Sequence, residues 1–302
     1  SELGSNFPYL GTYASGIYGD QSSIGWSNMG NSNLKWESTG TYDIGFDGGM
    51  FGNRLTFEAA YWQKDSKDLV MQVTTAASIG IPSNSYYANN GKVRNSGFEF
   101  TVGGDIARSK DFTWHADVNF STQHNEVKEL NNHADVLADN YTIIREGESF
   151  RSLYGFEYCG VNKANGYPIW KKGDGSFVQL DLLGSYDYAV YDSSNPTDVS
   201  KSASLDPNSD RKILGSVLPT WFGGITNTFR YKDWDATIFL RYSGGNKIMN
   251  ATTQETLLNL NFCNQGTEIL NCWKSATDTG DGQMPIVGHG DGAALFNTDY
   301  TD

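Results

Sequence analysis

Alternation of apolar and polar side chains over four segments constrains the fold of this chain more than any other feature. The segments span residues 41–47, 54–65, 97–102 and 112–121. Successive side chains of a β-strand point to opposite faces of its sheet, so each segment predicts a strand with one apolar and one polar face. The polar faces carry carboxylates, amides and a histidine. A transmembrane β-barrel, with lipid outside and a polar lumen inside, is built in this way.

The links between the strands are of two alternating kinds. Short links are predicted at 48–53, 107–111 and 232–233, and long links at 64–91, 122–148 and 160–212. Outer-membrane barrels have short periplasmic turns and long extracellular loops. Long loops without periodicity are uncommon in compact domains unless they carry function. We therefore predict an all-β, antiparallel transmembrane barrel segment whose long loops are extracellular.

The two ends of the sequence suggest a piece of a larger barrel. About nine or ten strands are predicted, including a weak one near 8–18 and a pair at 221–231 and 234–242. A barrel must close to remove its sheet edges, and an outer-membrane protein is exported with a signal peptide. The chain begins without such a peptide and ends in a polar run, 296–302. We expect residues 1–302 to form a partial barrel domain.

Composition excludes several classes of protein. Apolar runs of about 18 residues, which a membrane-spanning helix needs, are absent. A net charge of −13 argues against a nucleic-acid partner, because phosphates are neutralised by clustered basic residues. Aromatic residues make up 14% of the chain, which suits the aromatic girdles of a barrel.

Cysteine usage leaves two questions open. Cys159 lies in an alternating run, 150–159, where a small lipid-facing or core-facing residue is expected. Cys263 and Cys272 are close in sequence and could form a disulfide in an oxidising compartment. Spacing alone does not show that their geometry allows it.

A series of short motifs follows in a fixed order along most of the chain. They are Asn33-Leu-Lys-Trp-Glu with Tyr42-Asp-Ile-Gly-Phe-Asp, Asn53-Arg-Leu, Lys64-Asp-Ser-Lys-Asp-Leu, Gly91-Lys-Val-Arg-Asn-Ser-Gly-Phe-Glu, 112–127 from Phe-Thr-Trp to Asn-Glu-Val, 215–232 from Gly to Tyr-Lys, Gly244-Gly-Asn-Lys-Ile, and Trp273 with Gly282 and Pro285. In this order and spacing they resemble the SusC/RagA-type TonB-dependent outer-membrane transporters. Cys272 and Lys274 depart from the residues usual beside that tryptophan.

The resemblance implies a barrel of about 22 strands around a plug. This chain would be roughly its C-terminal third, with the plug, the TonB box and the last strands outside it. It further implies active import of oligosaccharides or oligopeptides across the outer membrane of a Gram-negative bacterium. The implied partners are a SusD-like surface lipoprotein that acts as a lid, TonB through the plug part, and outer-membrane lipid.

Four residues of the polar faces are expected to point into the lumen, where a plug offers many polar contacts. They are Glu58, Glu99, Asp117 and Asn119. Glu58 and Asp117, together with Asp43, Asp47 and His115, could alternatively be read as acid–base pairs or metal ligands. Strands impose no fixed carboxylate–histidine spacing, so we favour the lumen interpretation.

Two groups in the long links have the make-up of a ligand site. Sugars bind to aromatic platforms with polar neighbours, and peptides to polar groups that pair with a backbone. Tyr86, Tyr87 and Asn89 form one such group, and Tyr167 and Trp170 the other. The alternative is that these rings pack the loops against each other or lie in the interfacial girdle.

Sequence motifs of catalysis or metal binding are not found. Residues 278–282 superficially resemble a calcium loop but lack its alternating ligands and closing glutamate. There is no nucleophile elbow, no zinc-protease motif and no paired Cys-x-x-Cys. We therefore predict no enzyme, no cofactor and no metal. Beside an active importer, two alternatives remain: a passive porin or structural barrel, and a secreted all-β carbohydrate-binding protein.

Overall fold

The computed structural model describes residues 7, 9–81, 84–185, 187–250, 252, 264 and 266–287. The chain divides into two compact units. Unit 1 comprises 1–138, 143–151 and 216–246, and unit 2 comprises 139–142, 152–215 and 247–302. The strands within the described residues are β1 Thr12–Tyr18, β2 Gln21–Asn28, β3 Ser38–Met50, β4 Leu55–Lys67, β5 Val70–Thr74, β6 Ser85–Asn89, β7 Lys92–Arg108, β8 Phe112–Thr122, β9 His124–Glu129, β10 Val136–Leu137, β11 Thr142–Ile144, β12 Ser152–Val161, β13 Pro168–Lys171, β14 Phe177–Leu180, β15 Tyr188–Val190, β16 Arg211–Gly215, β17 Trp221–Tyr231 and β18 Trp234–Gly244. Short 3₁₀ turns lie at Ala77–Ile79, Asn131–His133 and Thr267–Asn271.

Unit 1 is built on an antiparallel sheet with the strand order β18-β17-β8-β7-β4-β3. The short links β3–β4, β7–β8 and β17–β18 all lie at one end of this sheet, which we call the short-link end. The links from β4 to β7 and from β8 to β17 leave the opposite, long-link end. The predicted alternation of short and long links is confirmed as a property of the sheet.

The strand register sorts the side chains of this sheet into two faces. Residues directly opposite each other in an antiparallel pair share a face. One cross-strand row runs Phe46, Ala59, Phe100, Phe120 and belongs to the apolar face. The neighbouring row runs Asp47, Glu58, Thr101, Asn119 and belongs to the polar face. The two-faced strands expected from the sequence are therefore present.

The links predicted to lack regular structure contain strands, so that prediction is wrong. Within 64–91, β4 continues to Lys67 and is followed by the β5–β6 hairpin. Within 122–148, β9 pairs with β7, and β10 pairs with β11. Their apolar side chains form a compact core at the long-link end of unit 1: Met71, Val93, Val127, Leu130, Val136 and Ile144. Burial of these side chains is what makes short segments ordered here.

Unit 2 contains antiparallel strands that pair in the order β16-β12-β13-β14-β15. Its core consists of Phe156, Trp170, Val178, Leu180, Leu182 and Met284. All five of its strands lie wholly or partly in the predicted loop 160–212, which is thus a folded module. Cys159 of β12 is exposed, not core-facing as one expectation had it.

The beginning of the chain forms a hairpin of its own. β1 and β2 pair with each other in a two-stranded sheet, and the weak strand expected near 8–18 corresponds to β1. Tyr13 and Trp26 face each other across the pair, with ring centroids 4.4 Å apart. The described residues include no helix that could span a membrane.

Candidate functional site

The polar face of the unit 1 sheet presents a continuous polar row. Glu58 lies opposite Asp47 on one side and Thr101 on the other, and Thr101 lies opposite Asn119. Glu99 and Asp117 are two residues along their strands from Thr101 and Asn119, so they share this face. The four residues predicted to point into a lumen are thus brought together on one face. Pairing across the strands puts carboxylates beside hydroxyl and amide groups. The carboxylate oxygens can accept hydrogen bonds from groups packed against this face.

One ionisable cluster lies on the same face near the short-link end. His115 Nδ1 is 2.8 Å from an Asp105 carboxylate oxygen, and His115 Nε2 is 3.3 Å from an Asp117 oxygen. Arg108 approaches the other Asp105 oxygen at 3.4 Å. Among the described residues, no group of three or more His, Cys, Asp or Glu side chains is arranged to hold a metal ion. The cluster is a hydrogen-bonded charge network.

The apolar face is unusually exposed for a folded chain. Ile44 is 73% exposed, Phe46 65% and Leu240 55%. Monomeric soluble proteins rarely expose a contiguous apolar surface of this kind. Tryptophans lie near both ends of the sheet: Trp36 precedes β3 at the long-link end, and Trp234 opens β18 at the short-link end.

The length of the strands matches the thickness of a bilayer core. Ten steps of about 3.3 Å separate the first and last residues of β17, which is about 33 Å along the strand. A strand tilt of about 40° reduces this to about 25 Å, the height of the apolar band of outer-membrane barrels. The apolar face therefore has the dimensions of a lipid-facing wall.

The predicted ligand group in β6 consists of a structural residue and two half-buried rings. The Asn89 side chain accepts a hydrogen bond from Lys35 N (2.7 Å) and donates to Lys35 O (2.9 Å) and Asp68 O (2.6 Å). All of these hydrogen bonds go to backbone groups, so Asn89 holds the 33–37 motif against the end of β4. Its prediction as a ligand contact is therefore wrong, and its role is structural. Tyr86 and Tyr87 are half-buried on opposite faces of the β5–β6 hairpin.

Tyr87 lines a cavity of unit 1. This cavity has a volume of about 730 Å³ and lies between the β5–β6 hairpin and the β10–β11 pair. We call it the hairpin cavity; its lining is Glu37, Leu69, Val70, Met71, Gln72, Thr74, Ser85, Tyr87, Val136, Leu137, Ala138, Ile144, Phe150 and Arg151. Only Tyr87 of the predicted ligand residues contributes to it. Of the charged residues of the lining, Glu37 belongs to the 33–37 motif, whereas Arg151 carries no sequence signal that would have singled it out.

The second predicted group belongs to the core of unit 2. Trp170 is 0% exposed and packs edge-to-face against Tyr158 and Tyr188. A fully enclosed indole has no face on which a sugar can stack. The prediction that Trp170 contacts a ligand is therefore wrong, and Trp170 is a core residue. Tyr167 is half-buried; burial and the neighbouring Asp181 carboxylate raise the pKa of its hydroxyl to about 12. The alternative that these rings pack the link is the one the structure supports.

Two further expectations concern regions at the far end of the chain. Cys263 lies outside the described residues, so the proposed Cys263–Cys272 disulfide stays a prediction. Trp273 is described, and its Nε1 donates to Lys163 O at 2.9 Å. That tryptophan of the last motif thus fixes a turn of unit 2.

Comparison with known proteins places these features in a family. Residues 3–266 match the family described as "TonB dependent receptor-like, beta-barrel". A TonB-dependent receptor of Formosa agariphila is 29% identical over 288 residues, which are 90% of this chain and 27% of that protein. The TonB-dependent receptor SusC of Bacteroides thetaiotaomicron is 27% identical over 267 residues, 82% of this chain and 24% of that protein. The chain thus spans about a quarter of the length of these relatives.

The fold also has counterparts among solved structures. A structure of the RagAB peptide transporter superposes with a TM-score of 0.73 at 24% identity, covering 94% of this chain and 30% of that chain. A second structure, of the RagAB peptide importer in its "closed-closed" state, gives a TM-score of 0.72 at 23% identity. The match spans the sheet of exposed apolar face and polar row described above. The chain belongs to the TonB-dependent receptor-like β-barrel family, and its relatives there are of the SusC/RagA type.

Proposed function

We propose that the protein of which this chain forms part of the barrel wall imports oligosaccharides or oligopeptides across the outer membrane of a Gram-negative bacterium. The observation that carries the proposal is the two-faced sheet of unit 1. Its apolar face has the height of a bilayer core, and its polar face suits a lumen that holds a plug. Relatives carry the names of TonB-dependent receptors and of a peptide transporter, which favours energised import over passive flow.

The proposed partners follow from the same arrangement. TonB supplies energy through the plug part of the protein, and a SusD-like surface lipoprotein closes over the extracellular side. Both long links that leave the sheet build ordered strands and not simple loops. Ordered surfaces of this size give a lid protein something to dock on, because rigid docking surfaces lose less entropy on binding.

Uptake in living cells tests the proposal. A strain that carries the full-length gene should take up its nutrient only when TonB and the cognate surface lipoprotein are both present. The lipoprotein should copurify with the full-length protein in mild detergent. The competing function is a passive porin: it would be supported by uptake that persists without TonB and by steady ion conductance of the purified protein in planar bilayers.

A further inference from the structure

The hairpin cavity of unit 1 has the size of a small-ligand site. Its volume of about 730 Å³ falls within the range of typical ligand pockets. Its lining comes from three separate parts of the chain: Glu37 just before β3, the segment from Leu69 through the β5–β6 hairpin, and the segment from β10 to Arg151. Pockets of this kind bind ligands through an apolar floor and a few convergent polar groups.

The floor of the cavity is apolar and mostly aliphatic. Met71, Val136 and Ile144 belong to the buried core of unit 1, and Phe150 packs against that core. Leu137 is 59% exposed beside them. This surface suits branched aliphatic side chains, whose burial is favourable by the hydrophobic effect. A sugar is favoured less, because Tyr87 and Phe150 are the two aromatic residues of the lining and sugars bind to aromatic platforms with polar neighbours.

Arg151 supplies an uncommitted positive charge at the cavity. Within the described part of the chain its guanidinium makes no hydrogen bond or ion pair. Its backbone has φ of 60°, in the left-handed region where an L side chain is strained and glycine is not. The preceding residue is fixed, because Phe150 N donates to Asn125 Oδ1 at 2.6 Å. Backbone strain is retained mainly at functional sites, so a strained, unpaired arginine beside a pocket indicates that its guanidinium binds a ligand.

Glu37 supplies the complementary negative charge. One of its carboxylate oxygens accepts a hydrogen bond from Val70 N at 2.8 Å, which fixes the side chain at the edge of the cavity. The second oxygen has no partner among the described residues and is available as an acceptor. Gln72 and Ser85 bond to each other at 2.7 Å and add a polar rim on the hairpin side.

We propose that the hairpin cavity binds the carboxyl-terminal end of a short aliphatic peptide. Arg151 pairs with the terminal carboxylate, which its planar guanidinium matches in geometry. The aliphatic floor takes the side chains, and the free Glu37 oxygen accepts an N–H of the peptide. This inference rests on the proposed import function and narrows its two substrate classes to peptides.

Binding to the purified full-length protein in detergent tests the inference, with trileucine as the probe. Trileucine should bind, and Arg151→Gln should weaken its binding about ten- to hundredfold, the range of a lost charge-assisted hydrogen bond. Trileucine amide should bind the unchanged protein weakly and should be insensitive to Arg151→Gln. Triglycine should bind more weakly than trileucine because it leaves the floor uncovered.

Two further variants separate binding from folding. Arg151→Gly should lose trileucine binding while its thermal unfolding midpoint stays the same or rises, since glycine relieves the strained backbone. Arg230→Gln removes an exposed arginine of β17 outside the cavity lining and should bind trileucine normally.

Several results would overturn the inference. These are equal trileucine binding by Arg151→Gln, equal binding of the acid and the amide, tighter Arg151-dependent binding of a glucuronic-acid trisaccharide, and no trileucine binding at all. The assay needs neither TonB nor a membrane. If trileucine fails to bind while uptake in cells still requires TonB, the ligand assignment fails and the import function stands.

Discussion

Gly223 shows how a single residue sets the packing of the apolar face. The Tyr242 hydroxyl donates to Asn119 O at 2.8 Å across β17. A Cβ at position 223 would lie 2.2 Å from Asn119 O and 2.5 Å from the Tyr242 hydroxyl oxygen. The tyrosine ring therefore occupies the space that a side chain at 223 would need. Because glycine has no side chain, Tyr242 can reach across β17 to β8.

Gly223→Ala should destabilise the sheet by about 1–3 kcal/mol, because an added methyl group in a packed site forces its neighbours apart. Gly40→Ala is the matched control: a Cβ there would meet nothing within 4 Å. Both glycines lie on the apolar face of unit 1, and Gly223 is buried whereas Gly40 is exposed. Urea unfolding of the full-length protein in lipid vesicles measures the difference. Equal stability of the two variants would contradict the packing argument.

A pH-sensitive contact holds the Asn131–His133 turn. His133 Nδ1 lies 2.9 Å from a Glu146 carboxylate oxygen, and Leu130 N donates to the same carboxylate at 2.6 Å. Its hydrogen bond to Glu146 raises the pKa of His133 above 6.5. The hydrogen bond from Leu130 N, followed by the contact with His133, lowers the pKa of Glu146 below 4.5.

The signs of these shifts fix a window of pH. The stabilisation from His133 is complete below pH 6.5 and is lost as the pH rises through the raised pKa of His133. The stabilisation from Glu146 is present above pH 4.5 and is lost as the pH falls through the lowered pKa of Glu146. Hydrogen exchange at the Leu130 amide should thus be slowest between these values, after correction for intrinsic exchange rates. His133→Gln should abolish the change on the alkaline side; an unchanged profile in that variant would contradict the assignment.

At the residue scale, the role of an asparagine side chain cannot be predicted from the sequence. Asn125 donates to Asn95 Oδ1 at 2.6 Å, and its own oxygen accepts from Phe150 N at 2.6 Å. Asn89 is committed to the backbone in the same manner. An amide has the same hydrogen-bonding groups whether it binds a ligand or a neighbouring strand, and only the three-dimensional pairing distinguishes the two.

At the scale of the strands, period-two alternation is sufficient to predict the six strands of the unit 1 sheet, which we call the wall strands. It is insufficient to predict the short strands of the folded module in unit 2. The wall strands are long and carry one face of each kind, so the pattern repeats over 11 residues or more. β13 and β14 have four residues each and are buried on both faces. Gln179 of β14 is fully buried because Asn162 donates to its side-chain oxygen at 2.7 Å. Alternation vanishes when both faces of a strand are covered.

The two faces of the wall make opposite predictions for a charged substitution. Phe100 lies on the apolar face and its neighbour Thr101 on the polar face. Phe100→Arg should cost about 2–4 kcal/mol if the site is near the middle of the bilayer, and Thr101→Arg far less. Reversible unfolding from lipid vesicles gives the two values. Similar losses at both positions would contradict a lipid-facing apolar surface.

The module of unit 2 should depend on its buried tryptophan. Trp170→Ala removes a side chain with no exposed surface and should destabilise unit 2 by about 3–5 kcal/mol. Tyr191→Ala, at a half-buried position of the same unit, is the milder comparison. Limited proteolysis of the full-length protein should then cut within 152–215 while the wall strands stay protected. Cleavage of the wall at the same rate would show that the module does not unfold by itself.

At the scale of the whole molecule, the family was predictable and the ligand was not. The motifs that carry the family resemblance lie mainly on wall strands and their exits, where the geometry of the barrel restricts the choice of residues. The hairpin cavity is lined from separate segments whose meeting depends on the β5–β6 and β10–β11 pairs. Neither pair was expected, so Arg151 and Glu37 could not be brought together from sequence.

The orientation of the wall in the membrane gives the last prediction. All short links lie at one end of the sheet, and an outer-membrane barrel puts such links in the periplasm. In a cysteine-free background, Ser78→Cys and Asn132→Cys at the long-link end should react with a membrane-impermeant maleimide on intact cells. Ser109→Cys and Lys232→Cys, in short links, should react only after the outer membrane is permeabilised. All four positions are exposed, so burial does not explain a difference. Labelling of all four on intact cells would contradict the barrel orientation, and labelling of only the short-link pair would reverse it.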